Sequence, residues 1–198
     1  MLIGVMDIPR FPHHAWSILP DLQGLLDGLV VRDKVGLAPS VLWTAKEIRA
    51  IAPDLPLWIN SYVSVALCVP ADALTLPADA SPAASVRRLW NRPIMASVHN
   101  LQELEYHRGA DYYLWGHAFP STSKPGLEPR PWEDLLGIVH NADRPVLAIG
   151  GINPGNIQKL AATGIYGVCL ADGLWCATDP VKVCQQLKRS VAFMNGTA

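Results

Sequence analysis

The chain has 198 residues, of which half are hydrophobic and 17% are charged, and its formal net charge is −1. This composition supports one domain with a sizeable core and excludes a largely disordered chain. The sequence has no basic block or stripe and no apolar run approaching the ~20 residues of a membrane span, so we expect neither nucleic acid nor a membrane as the main partner.

Cysteine usage and the first residues predict a cytoplasmic location. Cys68, Cys169, Cys176 and Cys184 show no C-x-x-C pair and no Cys/His metal spacing. Each lies in or near an apolar stretch, so we interpret all four as reduced core thiols. The N-terminal stretch MLIGVMDIP lacks the basic lead and the long apolar region of a signal peptide.

Short apolar runs alternate with helical patterns along the whole chain. The predicted strands are residues 2–6, 29–32, 57–59, 73–76, 94–98, 111–115, 145–149 and 166–170. The predicted helices are residues 39–50, 63–68, 81–90, 101–108, 131–140, 154–163 and 179–194, while residues 11–26 are Pro-interrupted and weakly helical. Ser81 and Asn100 are the predicted N-caps of two of these helices, with Glu103 completing a capping box on the second.

Eight such strand–helix units predict a single α/β domain over residues 1–198, a (β/α)8 TIM barrel with short helices and loops. The alternative is a doubly wound open sheet, but the chain lacks the glycine-rich first turn of that fold. A barrel of this kind typically takes ~250 residues, so the loops must be short. Functional groups are then expected at the carboxyl ends of the strands.

The stretch LWGHAFPSTSKPGLEPR begins at the end of the sixth predicted strand and contains the largest group of reactive and charged side chains in the chain. It places His117 at the strand end and then Ser121, Lys124 and Arg130 in a loop. An imidazole followed by hydroxyls and cations suits an anionic substrate that needs a proton moved. The alternative for His117 is a structural histidine that only ties a strand end.

Glycines follow the seventh and eighth predicted strands. Gly150 and Gly151 come after strand seven, and Asp172 and Gly173 come after strand eight. Loops seven and eight of these barrels commonly hold a phosphate at backbone N–H groups. We therefore expect a phosphate here; the alternative is that the glycines only permit tight turns.

Several segments, in order, resemble the thiamine phosphate synthase/TenI superfamily. They are VVRDK, WINSYVSVAL, ASVHNLQELEYHRGADY, GADYYLWGHAFPSTSKPGLEPR and VLAIGGINPGNIQKLAATGIYGVCLADGLW. The resemblance covers most of the chain except residues 9–26. It implies a barrel enzyme of thiamine biosynthesis whose ligand is a small phosphorylated thiazole.

Two branches of that superfamily differ at diagnostic positions. The synthase branch couples a pyrimidine pyrophosphate to a thiazole phosphate with magnesium, and its third strand usually ends Asn-Asp where this chain has Asn60-Ser61. Its sixth strand usually ends Gly-Pro, whereas Gly116-His117 is similar to TenI, the thiazole tautomerase. The resemblance therefore implies a metal-free isomerase without a cofactor, in which His117 is the acid/base that aromatises a thiazole carboxylate phosphate.

The resemblance also implies a set of binding residues. The substrate-binding candidates are Arg32, Lys34, Asn60, His99, Ser121 and Lys124, and the phosphate-binding candidates are Gly150, Gly151, Asp172 and Gly173. The alternative for Lys34 and Lys124 is that they are solvated surface lysines. The alternative for Asn60 and His99 is that they only form structural hydrogen bonds at strand ends. Asp172 stands where the family usually has a small or hydroxyl residue, and a carboxylate there would repel a phosphate.

Three functions remain open from the sequence. The first is the tautomerase with His117 as proton carrier, and the second is a thiamine phosphate synthase with altered metal ligands. The third is a non-catalytic TenI-like protein that binds a thiamine-pathway ligand. The sequence leaves the oligomeric state open, with a homo-oligomer as one option.

Overall fold

The computed structural model describes residues 1–196 and contains a closed barrel of eight parallel strands in chain order. The strands are β1 Leu2–Asp7, β2 Gly28–Arg32, β3 Leu57–Asn60, β4 Ala73–Leu76, β5 Ile94–Ser97, β6 Tyr112–Gly116, β7 Val146–Ile149 and β8 Gly167–Leu170. The barrel closes where β8 pairs with β1, with Val168 opposite Leu2. The predicted (β/α)8 barrel is confirmed, and the open sheet is excluded.

Helices connect the strands on the outside of the barrel. They are α1 Ala38–Ile51, α2 Val63–Cys68, α3 Ala83–Val86, α4 Leu101–Tyr106, α5 Trp132–Asn141, α6 Asp172–Trp175 and α7 Pro180–Met194. Four 3-10 helices complete the connections: Ile8–Arg10, His13–Ile18, Pro20–Leu22 and Ile157–Thr163. The segment after β1, weakly helical in sequence, therefore consists of 3-10 turns, which suits its repeated prolines.

Two helix predictions were wrong in detail. The helix predicted over residues 81–90 is only α3, with the extended Pro82 as its N-cap and no cap from Ser81. The helix predicted from Asn153 is a 3-10 helix that begins at Ile157. Asn153 and Asn156 side chains instead accept backbone N–H groups of the preceding turn, at 2.8 and 2.9 Å, and this turn competes with a helix start.

The core has two layers because strand side chains alternate between the barrel interior and the surrounding helices. The interior layer consists of Ile3, Val5, Val30, Trp58, Ala73, Met95, Leu147 and Cys169. The outer layer is larger and packs the other strand face against the helices. The same alternation of side chains continues to the end of each strand, and it therefore determines which side chains face the mouth of the barrel.

The cysteine prediction was half right. All four cysteines are free, and Cys169 and Cys184 are buried, but Cys68 and Cys176 are exposed. Those two end or follow short helices at the surface, where an apolar neighbourhood in sequence does not mean burial. Burial raises the pKa of Cys184 to about 12. In residues 1–196 no helix combines the length and apolarity that a bilayer crossing needs.

Candidate active site

Polar side chains form the top layer of the barrel interior, at the carboxyl ends of the strands. Asp7 and Arg32 extend the inward alternation of β1 and β2, and the Arg32 Nε and Nη2 atoms each lie 3.3 Å from an oxygen of Asp7. The Thr75 hydroxyl donates to Asn60 Oδ1 at 2.8 Å. The apolar interior thus ends in a polar floor where an active site is expected for this fold.

Four positively charged side chains lie close together at this mouth, and we call Arg32, Lys34, Lys124 and Arg130 the cationic cluster. Partial burial lowers the pKa of Lys124, and the charges of Arg130, Lys34 and Arg32 lower the pKa further. The one carboxylate in direct contact with a cluster member, in the described part of the chain, is Asp7 on Arg32. Such a cluster suits an anionic ligand.

His99 lies beside the cluster in a fixed orientation. Its Nδ1 and its backbone N–H both contact Glu103 Oε2 at 2.8 Å. Burial lowers the pKa of His99, and Arg130 and Lys124 lower it further, while Glu103 opposes the change. Asn100 caps α4 as predicted, but the Glu103 carboxylate turns to His99 rather than to the Asn100 backbone, so the capping box is incomplete.

His117 directly follows β6 and is only 6% exposed. We call residues 117–131 loop six; it folds back, so that Arg130 N–H donates to His117 O at 3.1 Å and Arg130 Nε to Gly116 O at 2.8 Å. His117 Nε2 lies 3.4 Å from Leu127 O, while Nδ1 is buried without a hydrogen-bond partner in the described chain. A buried ring nitrogen without a partner indicates either a ligand or a water at that position.

The glycines after β7 serve the packing of loop six. Gly150 and Gly151 have positive φ angles of 105° and 63°. A Cβ at Gly150 would lie 2.3 Å from His117 Cβ, and one at Gly151 would lie 2.3 Å from Pro120 O. Their need for glycine is therefore explained without a ligand. No hydrogen bond in the described chain takes the backbone N–H of Gly151 or Gly173 as its donor, so these groups remain open to an anion.

Asp172 has two partners that the sequence did not predict. Its Oδ2 accepts from Arg10 Nη2 at 2.6 Å and from the Thr122 hydroxyl. The three residues come from the loops after β8, β1 and β6. Arg10 lies in a Pro-rich stretch without periodicity, so no sequence signal points to it.

Ser121, also a predicted binding residue, lies within loop six. Its hydroxyl is 3.1 Å from that of Ser123, and its carbonyl accepts the backbone N–H of Lys124 at 3.1 Å. Trp115 and Trp175, which bracket the site in sequence, are both buried, and Trp175 Nε1 donates to Val5 O at 2.7 Å. These tryptophans belong to the core. Glu103 and Asp7 are the contacts that sequence reasoning did not assign to the site.

The donor set at β3 and β4 is a poor fit for a magnesium ion, because the carboxylate expected after β3 is absent. Ser61 stands after β3, and Asn60 Nδ2 donates to the Ser61 hydroxyl at 2.7 Å. Pro77, Ala78 and the exposed Asp79 follow β4, so the loop after β3 supplies no carboxylate and the loop after β4 supplies one. Within residues 1–196 no three His, Cys, Asp or Glu side chains are grouped as metal ligands. Magnesium prefers carboxylate oxygens, and Asp79 is the one carboxylate that these two loops offer.

Comparison with known proteins points to thiamine biosynthesis. The thiamine monophosphate synthase family, TMP-TENI, matches residues 18–174. A thiamine-phosphate synthase of Pyrococcus abyssi is 31% identical over 91% of this chain and 89% of its own, and one of Chloroflexus aurantiacus is 34% identical over 84% and 80%. The structure of thiamine phosphate pyrophosphorylase from Pyrococcus furiosus has a TM-score of 0.81 and 28% identity, covering 98% of this chain and 96% of its own.

Proposed function

Because the chain belongs to the thiamine monophosphate synthase (TMP-TENI) family, we propose that it binds a phosphorylated thiazole at the barrel mouth and isomerises it by proton transfer at His117. The substrate proposed is a thiazole carboxylate phosphate that becomes aromatic in the reaction. A thiazole carrying a carboxylate and a phosphate matches the cationic cluster in charge.

The observation that carries this proposal is the hydrogen bonding of the two ring nitrogens of His117. Nε2 lies within hydrogen-bond distance of the Leu127 carbonyl, which can only accept, so Nε2 carries the hydrogen in that contact. In the neutral ring Nδ1 then bears the lone pair, and Nδ1 is the buried atom without a partner. An imidazole at the carboxyl end of a barrel strand, with Nε2 on a carbonyl and Nδ1 buried without a partner in the described chain, is arranged as a general base.

One proton is removed and one is added in the proposed reaction. Nδ1 takes the hydrogen from C2 of the thiazole ring, the C2 electron pair enters the ring, and the exocyclic double bond accepts a proton on its outer carbon. The imidazolium formed in the first step is the donor for the second. Loop six covers His117, so the substrate enters when the loop opens, and closure excludes water.

A second candidate is the synthase reaction, and the named relatives favour it more than they favour the isomerase. The curated relatives reported above are thiamine-phosphate synthases. Against it stands the donor set of this chain, which has Ser61 after β3 where a carboxylate ligand would be needed, so that Asp79 after β4 is the one carboxylate of these two loops. The two candidates share the barrel mouth and the phosphorylated thiazole, and they differ in the need for magnesium.

Paired assays discriminate the two reactions. One assay supplies the thiazole carboxylate phosphate with EDTA and follows the absorbance of the aromatic product. The other supplies a pyrimidine pyrophosphate and thiazole phosphate with Mg²⁺ and follows thiamine phosphate. We expect turnover in the first assay at the same rate with EDTA or Mg²⁺, and none in the second. Thiamine phosphate formed only with Mg²⁺ would replace the isomerase by the synthase, and failure of both assays would favour a binding protein.

Removing one charge of the cationic cluster should weaken substrate binding. We expect Lys124→Ala to raise KM about tenfold, the usual effect of losing one charge-assisted hydrogen bond, and to change kcat less than threefold. Lys46→Ala is the matched control, because Lys46 is an exposed lysine on α1. Steady-state kinetics of both variants checks this, and equal KM values for Lys124→Ala and Lys46→Ala would remove Lys124 from the site.

A further inference from the structure

An ion pair joins two ends of the chain at the mouth of the barrel. Arg10 Nη2 lies 2.6 Å from Asp172 Oδ2, although the two residues are 162 positions apart. The Arg10 side chain is 39% exposed and the Asp172 side chain 28%. The Arg10 guanidinium is therefore the more accessible partner, and in the described structure only its Nη2 atom makes a hydrogen bond.

The pair explains how a carboxylate is tolerated beside a phosphate site. Asp172 directly precedes Gly173, whose backbone N–H, like that of Gly151, donates to no acceptor in the described chain. An unpaired carboxylate at this position would repel a dianionic phosphate. Arg10 cancels that charge and still has unused donors in its fork, which matches phosphate oxygens. The family match begins at residue 18, so Arg10 lies outside the matched segment.

We propose that Arg10 is a phosphate-binding residue of this chain and that Asp172 is the residue that holds it in position. The inference rests on the proposed function for its ligand, a phosphate ester. The anion contacts the free N–H groups of the Arg10 guanidinium and the backbone donors of loops seven and eight. Asp172 orients the Arg10 guanidinium, and the positive charge of Arg10 offsets the negative charge of Asp172.

Isothermal titration with inorganic phosphate tests this without requiring turnover. We expect Arg10→Ala to weaken phosphate binding about tenfold, because one charge-assisted contact is lost and a repelling carboxylate is exposed. The double variant Arg10→Ala/Asp172→Asn should bind more tightly than Arg10→Ala and less tightly than the unchanged protein. Arg10→Lys should retain part of the affinity. If Arg10→Ala does not fold, Arg10→Gln replaces it.

A control variant and a kinetic measurement distinguish the loss of Arg10 from a general loss of positive charge. Arg189→Ala removes a cation from the exposed face of α7 and is the matched control for the loss of a positive charge; we expect it to bind phosphate within twofold of the unchanged protein. With the thiazole carboxylate phosphate, Arg10→Ala should raise KM and leave kcat within twofold.

The inference is overturned if the unchanged protein does not bind phosphate, if Arg10→Ala binds like it, or if the double variant binds no better than Arg10→Ala. A fall in kcat at unchanged KM would also overturn it. Arg10-dependent phosphate binding without isomerase activity would instead reject the proposed function and leave the role of Arg10 standing. The two failures are therefore distinguishable.

Discussion

His117→Asn is expected to lower kcat for the isomerisation by about 10²–10⁴-fold, the usual contribution of a positioned acid/base, with little change in KM. Asparagine is a smaller polar residue whose amide lies near the position of Nδ1 and does not replace the Nε2 contact with the Leu127 carbonyl, and it cannot carry a proton at neutral pH. Because the cationic cluster is untouched, binding of the anionic substrate should persist. Stopped-time assays with EDTA present measure the effect.

The control for this variant is His140→Asn, since His140 is an exposed histidine in the last turn of α5. It should be as active as the unchanged protein. Thermal unfolding of both variants shows whether the fold is retained. If folded His117→Asn keeps more than a tenth of the activity, His117 is a structural residue at a strand end and the proton carrier lies elsewhere.

Gly150→Ala should damage both the fold and the site. The backbone at Gly150 has φ 105°, and the added Cβ would meet His117 Cβ at 2.3 Å. Such backbone strain together with overpacking costs about 2–4 kcal/mol of unfolding free energy. The same contact displaces His117, so we expect kcat to fall at least tenfold, since small misplacements of reacting groups are costly. Urea unfolding and steady-state kinetics check the two effects.

Gly137→Ala is the matched substitution. Gly137 lies within α5, and nothing is found within 4 Å of a Cβ built there. Alanine in a helix interior is favoured over glycine by about 0.5–1 kcal/mol, so this variant should be slightly stabilised and fully active. A Gly150→Ala protein as stable and active as Gly137→Ala would show that loop six does not pack on Gly150 as described.

The barrel was predictable because its signals are local. Each strand is a short apolar run that ends at a polar residue, and the alternation that buries Val30 also directs Arg32 toward the mouth. The position of His117 at the carboxyl end of β6 followed from the same pattern. The grouping of Arg32, Lys34 and Lys124 is consistent with the topology, since the carboxyl ends of all eight strands meet at one rim.

The contacts within the site were not predictable because they depend on tertiary packing. Arg10 meets Asp172 between the loops that follow the neighbouring strands β1 and β8, and no periodicity marks the segment that carries Arg10. Glu103 is recognisable as a capping residue, yet its carboxylate binds His99. Gly150 and Gly151 suggested a ligand, whereas the structure shows that loop six occupies the space against them.

The most direct test of the account follows the substrate by proton NMR in buffer that contains EDTA. We expect the C2 hydrogen signal of the thiazole carboxylate phosphate to disappear as the aromatic product forms, and we expect the signal to decay only at the uncatalysed rate with His117→Asn. Persistence of the C2 signal with the unchanged, folded protein would contradict proton transfer at His117.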